Sequence, residues 1–268
     1  MNWVLSLHFS QKPTMKSYKA YCLDLDGTVY RGTEVVPAAA SFVKRLQDKG
    51  IEPFFVTNNA SMTQKQLNVK LHRFGINTVE SQIVSSATAA AKYIKRWYPG
   101  QTVFMIGSDG LEQALAQEGI ERVEQEADIV LMGIDPGITY GKLAQACLEV
   151  RKGAVFLSTN KDLAFPSERG FLPGNGAFTT LVSASTDVDP VYIGKPERHM
   201  LETILHEHGF EKHEMVMIGD NYDTDILAGI NYGIDTIHVN TGVTPTDKVL
   251  EKEHQPTHAL ENLDFWRI

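Results

Sequence analysis

The chain has 268 residues, 43% of them hydrophobic and 22% charged, a globular composition long enough for one large domain or two modest ones. Its formal net charge of −8 argues against general nucleic-acid binding but not against an anionic small substrate, because charge within a site outweighs the global sum. Two cysteines, Cys22 and Cys147, make no disulfide framework and suit a reducing cytoplasm, and no apolar run approaches the length that spans a bilayer.

Near the N-terminus, Trp3-Val4-Leu5-Ser6-Leu7 is apolar but too short, and too poor in leading positive charge, for a secretory signal. Met15 stands just ahead of the first strand as a second natural start, so residues 1–14 are expected to be a dispensable extension. Tyr21-Cys22-Leu23 reads as a buried strand ending in the turn Asp24-Leu25-Asp26-Gly27-Thr28. Tyr30 and Arg31 follow in a flap, where Arg31 is as readily solvated as in contact with substrate. Pro37 fits the first position of a helix that ends at Gly50, and Ile51 to Val56 is a second strand, closing on Thr57-Asn58-Asn59. Thr63 and Gln66 match a capping box, and the helix they open closes at Gly75.

Further strands are expected at Val103–Ile106, Ile129–Ile134 and Ala154–Leu157, with helices near Leu111–Glu118 and Lys142–Lys152. A Gly/Pro-rich loop from Pro166 to Gly176 leads into a helix running to about Ser185. Val191-Tyr192-Ile193 then resumes a different theme, followed by a helix from Pro196 to His208, a strand at Met215–Ile218, a helix at Thr224–Asn231 and a strand at Thr236–Val239. This alternation predicts an α/β fold with a doubly wound parallel sheet. Residues 1–85 and 190–268 would form the core, and residues 86–189 an inserted α/β cap. A single continuous sheet is the alternative.

Four polar clusters each follow a predicted strand: Asp24/Asp26, Thr57/Asn58, Lys195 and Asp220/Asp225. In open parallel sheets ligands bind outside the carboxyl ends of the strands, so the clusters converge if their strands are neighbours. Each alone has a plainer reading, as a turn, an exposed lysine, or acids at a helix N-terminus. Together they contain what phosphoryl transfer through a carboxylate nucleophile needs. Asp24, Asp26 and Asp220 could hold Mg2+, which relieves the repulsion between the carboxylates and binds a phosphate oxygen. Lys195 would neutralise surplus charge. The Thr57 hydroxyl and nearby N–H groups would bind phosphoryl oxygens, and Asp26 would move the proton.

Asp24-Leu25-Asp26-Gly27-Thr28, Thr57-Asn58-Asn59, Gly194-Lys195-Pro196 and Gly219-Asp220-Asn221-Tyr222-Asp223-Thr224-Asp225 resemble the four motifs of the haloacid dehalogenase superfamily. The Thr-Asn-Asn and Gly-Lys-Pro forms, with a cap inserted between them, resemble its class IIA branch of NagD-like sugar phosphatases and p-nitrophenyl phosphatases. The resemblance implies a Rossmann-like core with a C2-type cap, and a magnesium-dependent phosphatase acting through an aspartyl-phosphate. Asp24 would be the nucleophile, and Asp26 the acid/base that lends its main-chain carbonyl to the metal. Thr57 and Asn58 would bind phosphate, Lys195 would steady charge, and Asp220 would complete the Mg2+ site. Asp225 would hydrogen-bond a metal-bound water or Lys195, with Asn221 in support. Asp223 is read as solvent-facing or capping.

The cap loops expected to face the site, Ser158–Asp162 and Phe165–Gly176, carry Asn160, Lys161, Arg169 and Asn175. Such cations suit a small polar ester, a sugar phosphate or acid sugar phosphate whose carboxylate one of them meets. The substrate is thus a small molecule, with neither nucleic acid nor membrane as partner, and the reading leaves room for a homodimer through cap or core. A phosphomutase and a phospho-Asp signalling switch are the competing functions. Free phosphate release separates the enzyme from the mutase, and rapid turnover of p-nitrophenyl phosphate with magnesium, as against a long-lived phospho-Asp, separates it from the switch.

Overall fold

The strand–helix alternation folds into two parallel sheets rather than one. The computed structural model describes residues 16–167 and 169–268, so the expectation for residues 1–14 lies outside the described residues. In chain order come β1 (Ala20–Asp24), the short hairpin β2 (Tyr30–Arg31) and β3 (Glu34–Val35), α1 (Pro37–Asp48), β4 (Pro53–Thr57), α2 (Gln64–Arg73), β5 (Ile83–Ser85) and α3 (Ser86–Trp97). The middle stretch has β6 (Val103–Ile106), α4 (Asp109–Gln117), β7 (Ile129–Met132), α5 (Tyr140–Arg151), β8 (Val155–Ser158), β9 (Ala164–Ser167), β10 (Gly170–Pro173), α6 (Asn175–Thr186) and β11 (Val191–Tyr192). The chain closes with α7 (His199–His208), β12 (Met215–Gly219), α8 (Leu227–Tyr232), β13 (Asp235–Val239), α9 (Thr246–Leu250) and β14 (His258–Leu260).

The first sheet has the order β14-β13-β12-β1-β4-β5, parallel throughout. Its centre, β1, is buried along its whole length because both faces are covered, which is why it reads as an unbroken apolar run. Tyr21 and Leu23 pack on one side with Phe42, Val43 and Leu46 of α1. Ala20 and Cys22 pack on the other with Met200 and Ile204 of α7 and Ala228 of α8. Strand order runs outward from β1 in both directions, so the crevice of this sheet opens at the carboxyl end of β1. Register brings the polar strand ends to that edge: Asp24 lies beside Val56, Leu23 beside Ile218, and Thr57 beside Ser85.

The second sheet, β11-β8-β7-β6, is also parallel. One face, with Leu131 and Leu157, shares a core cluster with α3 and the first sheet. The other face, with Val130 and Phe156, packs Val150 of α5 and Val182 of α6. Local signals explain the helix starts. At α2 the Thr63 hydroxyl accepts from Gln66 N–H (3.1 Å) and the Gln66 side chain accepts from Thr63 N–H (2.8 Å), a cap of the kind that contributes about 1 kcal/mol.

Three expectations are corrected. Val191 and Tyr192 pair with Leu157 and Ser158, so this strand belongs to the second sheet, which runs past the expected boundary at residue 189. The loop expected from Pro166 onward contains the antiparallel hairpin of β9 and β10 before α6 begins. The helix expected from Pro196 begins at His199, because Gly194 to Arg198 form a tight turn beside the first sheet.

Candidate active site

Asp24 ends β1 with its side chain buried. The chain turns sharply after it, and Gly27 takes φ +97 where a Cβ would stand 2.4 Å from Asp220 Oδ2. Both the backbone conformation and the space therefore require glycine. Gly27→Ala is expected to displace Asp220, to cost about 1–3 kcal/mol through backbone strain alone, and to remove most activity. Thermal unfolding and turnover measured side by side check this, and a variant with wild-type turnover would contradict it.

Lys195 is the buried cation of the site, 2% exposed. Its ammonium pairs with Asp24 Oδ1, with Asp225 Oδ1 at 2.8 Å, and donates to the Val56 carbonyl at 3.1 Å, so all three donors are used. Burial would pull its pKa down, but the adjacent Asp225 and Asp24 hold it above the ordinary lysine value. The carboxyl of Asp24 is pushed well above its usual range, first by burial and then by Asp225 and Asp220, against the pull of Lys195.

Asp220 follows β12 and is fully buried. Its oxygens accept from the Thr28 hydroxyl (2.9 Å) and Val243 N–H (2.6 Å). Burial, then Asp225, raises its pKa. Asp225 sits on a π-helical turn, Tyr222–Ile226, that leads into α8. Its Oδ2 accepts from Asn221 N–H (3.1 Å) and its Oδ1 from the Thr224 hydroxyl (3.1 Å) as well as Lys195. The Asn221 side chain accepts from Asp223 N–H (3.0 Å) and so caps this turn.

Among the described residues, one oxygen each from Asp24, Asp220 and Asp225 come within 4.8 Å of one another. The second oxygen of Asp24, Oδ2, is buried with no hydrogen-bond partner. A buried carboxylate oxygen left without a donor, in an oxygen-only cluster of acids, fits a hard divalent cation. Asp225 accepts three hydrogen bonds, two of them on Oδ1, from Thr224 and Lys195, whereas each Asp220 oxygen accepts one and Asp24 Oδ2 none, so Asp24 and then Asp220 have the more open side-chain oxygens. The carboxylate of Asp26 lies outside this cluster. It is exposed, with the Tyr30 hydroxyl 3.4 Å from its Oδ2 and the Lys70 ammonium 3.7 Å from the Tyr30 ring centre. The protein around it still thins the solvent enough that desolvation raises its pKa, against Lys70 and Lys195.

The remaining expected residues divide. Thr57 is buried at the end of β4, and its hydroxyl oxygen accepts from Asn59 N–H (3.1 Å), leaving the hydroxyl hydrogen free to donate. The Asn58 side chain, expected to bind phosphate, is committed elsewhere: both amide atoms bond the main chain of Lys195. Asn160 is also structural, donating to the Asn58 carbonyl (3.1 Å) and accepting from Asp162 N–H (3.2 Å). Lys161 is exposed, 3.5 Å from Glu197, and Arg169 is exposed at the turn between β9 and β10. Asn175 donates to the Ser158 hydroxyl (2.9 Å) and the Asn160 carbonyl (3.0 Å), holding the loop after β8 in place. Sequence reasoning gave no role to Asp162, whose Oδ2 accepts from the Asn58 amide at 3.4 Å, or to Thr28 and Val243, which hold Asp220. The Asn160–Asp162 spacing within an otherwise polar loop was the available signal for the first.

A family model described as haloacid dehalogenase-like hydrolase matches residues 21–121, and a second, HAD-hydrolase-like, matches residues 192–265. The stretch between them, residues 122–191, holds β7 to β10 and the first residue of β11. The chain is 46% identical over 252 residues to 5'-nucleotidase YutF of Bacillus subtilis, covering 94% of this chain and 98% of that protein. It is 47% identical over 251 residues to an acid sugar phosphatase of Staphylococcus epidermidis, covering 93% and 97%. The crystal structure of a double mutant of thermostable NPPase from Geobacillus stearothermophilus superposes with a TM-score of 0.89 at 45% identity, over 94% of this chain and 99% of that one.

Proposed function

The chain belongs to the haloacid dehalogenase-like hydrolases, and on that premise we propose that Asp24, Asp26, Thr57, Lys195 and Asp220 carry out magnesium-dependent hydrolysis of small phosphate esters. The protein is a phosphoric monoester hydrolase. The observation that carries the residue assignment is the buried Lys195 ammonium between Asp24 and Asp225, beside an Asp24 oxygen with no donor of its own.

Asp24 attacks phosphorus with a carboxylate oxygen, and the bond from phosphorus to the ester oxygen breaks. Asp26, whose pKa desolvation raises, gives the leaving oxygen a proton. It then takes a proton from the water that hydrolyses the aspartyl-phosphate. Lys195 orients Asp24 and offsets the charge of Asp225 throughout. The Thr57 hydroxyl and the main-chain N–H of Asn58 are the proposed donors to phosphoryl oxygens. Asp24 and Asp220, with the main-chain carbonyl of Asp26, would hold Mg2+, which supplies charge neutralisation between the carboxylates and the phosphoryl group.

Residues 86–189, extended to the end of β11, act as the cap that selects the leaving group. The relatives are named for acid sugar phosphates and for nucleotides. Exposed Lys161 and Arg169 favour the acidic esters, since each can meet a carboxylate on the leaving group. The two free thiols, Cys22 and Cys147, suit a reducing cytoplasm. One experiment tests the whole reading: steady-state release of inorganic phosphate from p-nitrophenyl phosphate, acidic sugar phosphates and nucleoside monophosphates, with Mg2+ and with excess chelator. Continuous release with Mg2+, near-complete loss in chelator, and selective loss on acidic sugar phosphates in Lys161→Ala and Arg169→Ala are expected. A single burst of phosphorylation without turnover would point to a switch. Return of the phosphoryl group to the organic product would point to a mutase.

A further inference from the structure

Lys195 lies in a turn with little regular structure of its own, yet its ammonium must stand between two buried carboxylates. Its main chain is gripped by one side chain from the far end of β4. Lys195 N–H donates to Asn58 Oδ1 (2.8 Å), and Asn58 Nδ2 donates to the Lys195 carbonyl (3.0 Å). These two bonds admit a single amide orientation, because the oxygen must face the N–H and the nitrogen the carbonyl. Asp162, from the loop after β8, accepts from the same Nδ2 at 3.4 Å and favours that orientation. The Asn58 carbonyl is fixed in turn by the Ser86 hydroxyl (2.8 Å) and the Asn160 amide (3.1 Å). Packing at Gly194 agrees: a Cβ there would stand 2.4 Å from the Thr159 carbonyl and 2.6 Å from Asn58 Oδ1.

We infer that the Asn58 side chain is a positioning residue for Lys195, clamping its main chain from both sides, and that Asp162 of the second sheet's loop locks the clamp. The inference rests on the role given above to Lys195. It removes the Asn58 side chain from phosphate binding and gives the inserted unit a hand in setting the nucleophile's counter-charge. A side chain that acts through Lys195 loses its effect once the Lys195 ammonium is gone.

The test is a double-mutant cycle of Asn58→Ala and Lys195→Ala on p-nitrophenyl phosphate with Mg2+, with KM and kcat measured separately. Asn58→Ala alone is expected to lower kcat about a hundredfold, the scale of a misplaced catalytic group, with KM changed less than about threefold. In the Lys195→Ala background the same change is expected to have less than about a threefold effect on kcat. If Asn58→Ala raises KM and its effect multiplies with that of Lys195→Ala, the side chain binds phosphate and the inference falls. If Lys195→Ala itself retains activity, the reading of the site falls first, and the two failures are thereby separate. Should Asn58→Ala not fold, Asn58→Asp serves: it keeps the acceptor for Lys195 N–H and puts an oxygen against the Lys195 carbonyl and Asp162. It is expected to lose kcat in the same non-additive way, and additive loss would again overturn the clamp.

Discussion

Asp24→Asn lowers kcat on p-nitrophenyl phosphate by at least about a thousandfold, while the protein stays folded and its metal-free stability does not fall. The amide is isosteric but carries no charge and cannot form the acyl phosphate, so turnover stops at its first step. Stability is preserved because the native carboxylate is in an unfavourable place: burial, Asp225 and Asp220 all raise its pKa. With a folded pKa above the unfolded value, the folded state binds the proton more tightly. The contribution of Asp24 to stability is therefore full below about pH 4, the unfolded carboxylate range, and is lost as pH rises through the folded pKa. Without a metal, wild-type stability should decline with rising pH across that window, and Asp24→Asn should decline less. Mg2+ added at neutral pH should raise the unfolding midpoint of the wild type and do so more weakly in the variant. Substantial turnover by Asp24→Asn would remove it as the nucleophile. Loss of turnover together with loss of folded circular dichroism would make its role structural.

The strands that carry the site were legible because a parallel sheet covered on both faces writes itself as short unbroken apolar runs. Tyr21-Cys22-Leu23 and Met215–Ile218 are such runs; the first leads straight into Asp24, and the second reaches Asp220 after Gly219. The α2 cap was legible for a different reason, since Thr63 and Gln66 are neighbours on one turn. What the chain concealed depends on distant partners. Val191 and Tyr192 form a two-residue strand, too short for any periodicity, and only pairing with β8 assigns it to the second sheet. Pro196 is a fair local signal for a helix start, but the Asn58 grip on Lys195, across 137 positions, holds the segment in a turn until His199. The same separation hid the part Asn58 plays: Thr57-Asn58-Asn59 reads as three polar donors at a strand end, and nothing local says that the middle one turns toward the lysine loop. Arg169 and Lys161 stand at the other extreme, since exposed cations take their meaning from a ligand rather than from the fold.

Lys195→Met is the second large effect, and it falls on stability as well as catalysis. Methionine keeps much of the unbranched volume but removes the charge that stands between Asp24 and Asp225. Stripping one partner from a buried ionic cluster costs about 3–5 kcal/mol, because the remaining charges stay desolvated. For a chain of this length that corresponds to a fall of roughly 6–20 °C in the unfolding midpoint at neutral pH in chelator. The folded pKa of Lys195 is raised, so its contribution is complete below the ordinary lysine value of about 10.4 and disappears only as pH rises through the folded pKa. The deficit of the variant should therefore be steady from neutral to mildly alkaline pH. On acidification it should shrink, because Asp24 and Asp220, already shifted upward, take up protons and no longer need the ammonium. Unfolding midpoints of both proteins followed from pH 9 down to pH 4 decide the matter. A variant as stable as the wild type at neutral pH, or a deficit that does not narrow on acidification, would mean that Lys195 does not compensate this carboxylate cluster. Convergence at low pH, with kcat reduced by about a thousandfold at neutral pH, would mean that one ammonium both makes the buried acids tolerable and keeps Asp24 aimed at its substrate.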